Sequence, residues 1–244
     1  MEEEAREKLL GINKEFYSQF AESFARTRLA PQPGFKRLLE YIPRAPVSVL
    51  DVGCGNGRFG MFLQEQMSDI QYTGIDFSEN LLKMAATNVP GSYYQRDLSQ
   101  VGFLQDTGSF VVISCLATMQ HIPGRRNRSI FLQEIRDHLA KGAVIMLANW
   151  QFLESPRQRR KIQPWNLVNL REEEVEANDY LMTWQRDGYA LRYVCLIDGQ
   201  ETAELASEAG LTVIKQFRSD GKEGNLNLYT ILAAADEGVS SLDG

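Results

Sequence analysis

Asp51 closes an apolar, β-branched run, Val47-Ser48-Val49-Leu50-Asp51-Val52, and is followed at once by Gly53-Cys54-Gly55-Asn56-Gly57-Arg58. Such a run bounded by glycines suits a buried strand of a parallel sheet. Closely spaced glycines let the turn take positive φ and let a ligand approach the backbone. The spacing Gly55-x-Gly57-x-x-Gly60 matches the dinucleotide fingerprint, but counted from the strand the first glycine is Gly53, the second Gly55, and Arg58 stands where the third should be. A carboxylate at Asp51 would also repel a pyrophosphate. The acid suits a cationic ligand that carries no phosphate.

Two more apolar segments end in acids. Tyr72-Thr73-Gly74-Ile75-Asp76-Phe77-Ser78 reads as a second strand, one βαβ step downstream, with Asp76 where a carboxylate can accept from both hydroxyls of a ribose. Tyr93-Tyr94-Gln95-Arg96-Asp97-Leu98 reads as a third strand, Phe110 to Cys115 as a fourth and Gly142 to Trp150 as a fifth. A helix capped by Ser78 carries Leu81, Leu82 and Ala85 on one face. Ahead of this core, residues 1 to about 30 read as a helix with an apolar stripe of Phe16, Phe20 and Phe24, either core packing or a lid. Pro31-Gln32-Pro33-Gly34 breaks it, and Phe35 to Ile42 reads as a second helix. After the core come a predicted helix over Gln200–Ala209 and strands over Leu211–Phe217 and Asn227–Ala233. The expected layout is a helical lid (1–45), a cofactor-binding core (46–150), a substrate-side insertion (151–198), a C-terminal helix and strand pair (199–233) and a frayed tail (234–244).

Residues Val49 to Phe59 resemble the first motif of the class I S-adenosylmethionine-dependent methyltransferases. The resemblance implies an α/β, Rossmann-like fold: a seven-stranded, mostly parallel sheet with an antiparallel last strand and helices on both faces. It implies S-adenosyl-L-methionine as cofactor, whose sulfonium and ammonium suit the acid and whose ribose suits Asp76. Asp97 would bond the adenine amine, and Tyr17, Arg28, Asp51, Gly53, Cys54, Gly55, Gly57, Phe77, Leu98 and Cys115 would complete the cofactor site. A narrower likeness covers residues 13 to 232. Phe16-Tyr17, Phe24-Ala25-Arg26-Thr27-Arg28, Thr118-Met119-Gln120-His121-Ile122-Pro123 before Arg125-Arg126, Asp179 to Trp184, and Arg192-Tyr193 ahead of a helix ending in Glu208-Ala209-Gly210-Leu211 resemble the tRNA wobble-uridine carboxymethyl methyltransferases. That likeness implies a carboxylate acceptor on tRNA and a small activating protein partner. The chain departs from it at Gln120-His121, where the family has paired histidines, and at Val194-Cys195, where it has an aromatic and a histidine.

For a carboxylate acceptor no base is needed, only a cation to orient it. The resemblance puts Thr27-Arg28 near the methionine end of the cofactor, which makes Arg28 the first candidate and Arg192 the second. His121 is either a base for a hydroxyl or amine acceptor, or a packing histidine at a helix start. Tyr17 and Tyr193 either line the pocket or belong to the core.

Of the 244 residues 43% are hydrophobic, ample for a core, and no apolar run approaches the length of a membrane span. The start, Met1-Glu2-Glu3-Glu4, lacks the regions of a secretory signal, and Cys54, Cys115 and Cys195 show no disulfide or zinc spacing. With His121 and His138 as the only histidines, no metal is expected; the expected setting is cytoplasmic. A net charge of -6 opposes a chain that grips nucleic acid over its whole surface. Two clusters, Arg125/Arg126/Arg128 and Arg157/Arg159/Arg160/Lys161, are either solvated side chains or phosphate contacts. The acceptor is therefore a small molecule or tRNA. Two other classes stay open: a nicotinamide-dependent oxidoreductase, from the glycine spacing alone, and a non-catalytic scaffold acting through a partner.

Overall fold

The computed structural model describes residues 1–28, 30–44 and 46–235. From the N-terminus, α1 (Glu3–Arg26) and the short α2 (Pro33–Leu38) precede β1 (Val47–Val52), α3 (Arg58–Gln66), β2 (Ile70–Asp76), α4 (Glu79–Asn88), β3 (Ser92–Gln95) and β4 (Phe110–Leu116). Then follow α5 (Arg125–Asp137), β5 (Leu139–Trp150), α6 (Pro156–Arg159), β6 (Ile162–Gln163), β7 (Asp179–Trp184), β8 (Ala190–Cys195), α7 (Gly199–Glu208), β9 (Leu211–Ser219) and β10 (Asn227–Ala234).

Among the described residues seven strands form one sheet in the order β3-β2-β1-β4-β5-β10-β9. The pairs from β3 to β5 are parallel, and β10 runs antiparallel to both its neighbours. This is the predicted α/β sheet with its reversed last strand. The period-two alternation of β1 divides the core: Leu50 and Val52 pack with Phe131, Leu132 and Ile135 of α5, whereas Val47 and Val49 pack with Phe35, Phe59, Phe62 and Leu63. Strand order reverses between β1 and β4, so their carboxyl ends leave a crevice where open α/β sheets bind ligands.

Residues 151–198 hold a second, three-stranded antiparallel sheet, β6-β7-β8. Its join to α1 is made by Asn13, which is buried on the same stripe as Leu9 and Phe16. The Asn13 side chain accepts from the Tyr193 backbone N–H at 2.9 Å and donates to the Tyr193 carbonyl at 3.1 Å, acting as a strand partner for β8.

Several boundaries differ from the sequence expectation, each for a local reason. The first helix ends at Arg26 and bends at Phe20, whose φ of -117° and ψ of 16° leave the helical region. The second begins at Pro33, because proline fills a first-turn position that needs no N–H donor, and Asp220 takes the Gly34 N–H at 2.8 Å. The third strand stops at Gln95. Asp97 lies in the turn beyond, where its carboxylate accepts from the Ser99 backbone at 3.0 Å and hydroxyl at 2.6 Å instead of joining the ladder. The tail expected to fray from residue 234 is in β10 at Ala234 and, from 236 on, lies outside the described residues. Among the described residues no helix is long and apolar enough to cross a membrane.

Candidate active site

The turn from β1 into α3 is shaped by what glycine permits. Gly53 has a φ of 73°, and a Cβ there would sit 2.1 Å from the Thr118 Oγ1, so any side chain would collide with the loop after β4. Gly57, at φ 78°, forms the left-handed N-cap of α3 and lies against Ala85 of α4 and Val89 just after it. The Gly53 and Cys54 N–H groups donate to the Ile75 carbonyl, which ties the turn to the end of β2.

Asp76, buried at that end, accepts from the Gly55 N–H and the Ser78 N–H, both at 2.9 Å and each on a different oxygen. Burial pushes its pKa up from 3.8 to about 6, while these N–H groups pull the other way. Asp51 is buried too and accepts from the Tyr72 hydroxyl and the Ser114 hydroxyl, both at 2.7 Å. Its carboxyl is also raised by burial, and the two hydroxyls only partly offset this.

These groups form one wall of a cavity of about 680 Å³, within the range of small-molecule sites. The glycine loop, Asp76, Phe77, Asp97 and Leu98 lie on the side of the main sheet. Across from them stand Tyr17 and Arg28 at α1, Arg192 of β8, Lys161 and the ring of Trp184, with Trp150 at the end of β5 also lining the cavity.

That opposite wall is cationic. Arg192 is 4% exposed, makes no ion pair among the described residues and has an unpartnered Nε. Its guanidinium lies 5.0 Å from the Phe16 ring centre, 5.5 Å from Trp184 and 5.6 Å from Trp150. Aromatic faces offset part of its desolvation, yet its pKa remains lowered by burial. Arg28 stacks 3.4 Å over Phe24 and donates to the Thr27 hydroxyl at 2.7 Å; burial lowers it to about 9, and it too lacks a carboxylate among the described residues. Lys161 is lowered by burial and by the charges of Arg192, Arg157, Arg186 and Arg28.

His121 sits between the walls. Its Nδ1 lies 3.0 Å from the Tyr193 carbonyl, an acceptor only, so Nδ1 carries the proton. Its Nε2, 3.3 Å from the Tyr17 hydroxyl, is then the acceptor. Burial and the neighbouring Arg192 and Arg28 hold its pKa down at about 4, so the ring is neutral at pH 7. A nitrogen so reluctant to take a proton suits hydrogen bonding and not general-base work.

Tyr17, Arg28, Asp51, Gly53, Cys54, Gly55, Asp76, Phe77, Asp97, Leu98, His121 and Arg192 all face this one cavity. Gly57, Cys115 and Tyr193 do not line it. Gly57 packs on α4, and Cys115 points into the core under α5 while Leu116 meets the cavity. Tyr193 follows Arg192 in a strand and so points the other way, where its hydroxyl donates to Asp179 at 2.6 Å. The Arg125/Arg128 cluster is occupied: Arg125 pairs with Glu204 and Glu208, and the buried Arg128 with Glu176 and Glu201. Of the second cluster, Arg157 and Lys161 line the cavity. The sequence reading missed Asn13, although a polar residue on an apolar stripe marks it, and also Gln32, Thr118 and Arg186. Among the described residues no group of three or more His, Cys, Asp or Glu side chains could hold a metal ion.

A family model described as a methyltransferase domain matches residues 21–216. A protein of Encephalitozoon cuniculi, named as a candidate methyltransferase, is 28% identical over 200 residues, covering 82% of this chain and 86% of its own length. A ubiquinone biosynthesis O-methyltransferase of Albidiferax ferrireducens is 34% identical over 88 residues, 33% of each chain. Among solved structures, an S-adenosylmethionine-dependent methyltransferase from Clostridium acetobutylicum superposes with a TM-score of 0.65 at 12% identity, covering 91% of this chain and 98% of that one, a likeness of fold alone. With the matched domain spanning most of its length, the chain belongs to the methyltransferase-domain family, enzymes whose methyl donor is S-adenosyl-L-methionine, and has the class I methyltransferase fold.

Proposed function

We propose that this methyltransferase transfers the methyl group of S-adenosyl-L-methionine to a carboxylate oxygen of its acceptor, oriented by Arg28 and Arg192. The observation that carries this is the buried Arg192 guanidinium, which faces the cavity with no carboxylate partner among the described residues and an idle Nε–H. A buried cation left unpaired is costly, and an anionic ligand would relieve it.

The residues opposite fit the cofactor. Asp76 keeps lone pairs for two ribose hydroxyls beyond the N–H groups it already receives, and Phe77 and Leu98 offer apolar surface for adenine. A Cβ at Gly55 would meet nothing within 4 Å, so the backbone there is open to close approach. Asp97 is held by Lys14 at 2.8 Å and by Ser99, so its bond to the adenine amine would add to that set. When bound, the cofactor supplies a methyl group already activated by its sulfonium.

The protein's part is then placement and dryness. Arg28 and Arg192 would hold the carboxylate in line, about 3 to 3.5 Å from the carbon it attacks. Ionised at neutral pH, it needs no base, which agrees with the low proton affinity of His121. The neutral ester formed would lose its charge attraction to both arginines and leave. The partial likeness to ubiquinone O-methyltransferases supports an oxygen acceptor.

A tRNA-borne carboxylate is a second reading, favoured by Arg157, Arg159, Arg160 and Arg186, which are exposed and make no ion pair among the described residues. The net charge of -6 weighs against it, because nucleic-acid affinity rests on phosphate neutralisation. Incubation with methyl-labelled cofactor and either a carboxylic-acid panel or tRNA would separate the two, scored by release of label as methanol in mild alkali. Alkali-labile product is expected. Label that survives alkali would mean the acceptor atom is not a carboxylate oxygen.

A further inference from the structure

His121, Tyr17, Asn13 and β8 form a hydrogen-bonded chain that α1 closes, and Arg192 leaves β8 next to it. Asn13 grips both backbone groups of Tyr193; the Tyr193 carbonyl also takes the Nδ1–H of His121; His121 Nε2 takes the Tyr17 proton; and Tyr17 stands one helical turn after Asn13 on α1. The guanidinium of Arg192, adjacent in sequence to the gripped Tyr193, lies 5.0 Å from the ring of Phe16, the residue before Tyr17, and lines the same cavity as Tyr17, whose hydroxyl raises its proton affinity. A hydroxyl has one proton and two lone pairs. Once its proton is committed to His121, only lone pairs face Arg192, and lone pairs are what a guanidinium N–H can bond.

We propose that His121 is a positioning residue: an Nδ1-protonated imidazole that sets the direction of the Tyr17 hydroxyl and thereby the pose of Arg192 toward the acceptor. This rests on the reading of Arg192 as the acceptor's anchor. It goes beyond that reading by giving His121 a role other than that of a base, and by making the docking of α1 on β8 part of the same device. Were His121 an Nε2–H tautomer, two donors would face each other at Tyr17 unless the hydroxyl turned its proton toward Arg192, where it would repel the cation.

The test uses the full chain saturated with S-adenosylhomocysteine and reads nitrogen-15 NMR signals of the two histidines and of the arginine Nε–H groups. Expected are an Nδ1–H tautomer for His121 that does not titrate between pH 5 and 8, and an Arg192 Nε–H signal that moves alike in His121→Ala and Tyr17→Phe. The double variant should move it no further, and His121→Gln, which restores an acceptor oxygen, should return it toward the starting position. An Nε2–H tautomer, a His121 titration near neutral pH, or an Arg192 signal indifferent to His121→Ala would overturn the proposal. Titration with formate then asks a separate question: if Arg192 responds to His121 but formate leaves its signal unchanged, the positioning role stands and the carboxylate acceptor falls.

Discussion

Acidifying the solution from about pH 8 to pH 5 is expected to weaken cofactor binding about tenfold, and the cause is Asp76. Its carboxyl is raised from 3.8 to about 6 by burial, so the empty fold favours the uncharged form. The stability contributed by that preference is full below the unfolded value and is lost as pH rises through about 6. Ligand affinity follows the opposite course. Ribose hydroxyls donate hydrogen bonds, and an ionised carboxylate accepts them best, so binding selects the deprotonated form and releases a proton wherever the free group is protonated. The apparent dissociation constant then scales as one plus ten to the power of pKa minus pH: near unity at pH 8, about twofold at pH 6, about tenfold at pH 5, or roughly 1.4 kcal/mol. Calorimetric titration with S-adenosylhomocysteine in buffers of different ionisation enthalpy measures both the affinity and the proton released. Asp76→Asn keeps the shape but should flatten the dependence and cost about 1–3 kcal/mol at neutral pH, the scale for a lost buried hydrogen-bond partner. Asp51, also raised, is unaltered in that variant, so any slope that persists belongs to it. An affinity flat from pH 5 to 8 in the unaltered chain would refute the placement of Asp76 at the ribose.

Gly53→Ala, which adds a Cβ 2.1 Å from Thr118 Oγ1 at a φ of 73°, should destabilise the fold by at least about 2 kcal/mol in urea titrations, with partial rescue by Thr118→Ala. Arg192→Met should leave the empty protein as stable or more so, because it removes an unpaired buried cation but keeps the aromatic packing, and should cut acceptor kcat/KM about 10- to 100-fold with S-adenosylhomocysteine affinity unchanged. Arg128→Met should cost about 3 kcal/mol near neutral pH, since it leaves Glu176 and Glu201 without their shared cation; a urea midpoint that does not move would contradict that pairing.

Asp51 and Asp76 were legible because each closes a β-branched run beside a turn, a local pattern that needs no knowledge of distant residues. Tyr193 and Cys115 turn away from the cavity by a rule that the sequence already contained: neighbours in a strand point to opposite faces, so Arg192 and Tyr193 do not line one wall. The arginine cluster after β4 misled for another reason. Arg125 and Arg128 are three residues apart in sequence, but the carboxylates that satisfy them, Glu176, Glu201, Glu204 and Glu208, come from the second sheet's approach and from α7. Charge clustered along a chain does not report charge clustered in space. The second sheet was illegible because β6 is only two residues long and because Asn13 reaches across 180 residues to complete it.

The cavity brings the carboxylates of Asp51 and Asp76 together with the guanidinium groups of Arg28 and Arg192, and that arrangement bears on rate as well as on binding. Attack of a carboxylate on a sulfonium methyl forms a C–O bond, breaks the S–C bond and leaves the electron pair on sulfur, so two opposite charges vanish together. A site that gripped either charge with full strength would stabilise reactants over the transition state. Here the grip is muted on both sides. Asp51 already spends both oxygens on the hydroxyls of Tyr72 and Ser114, and Arg192 rests among aromatic faces beside the lone pairs of Tyr17. Burial strengthens the attraction between the reacting charges themselves, because little water remains to screen them. Orientation with modest ground-state stabilisation is what the proposed carboxylate chemistry would ask of the protein, and on that proposal Arg28 and Arg192 are better left without carboxylate partners than held in ready-made ion pairs.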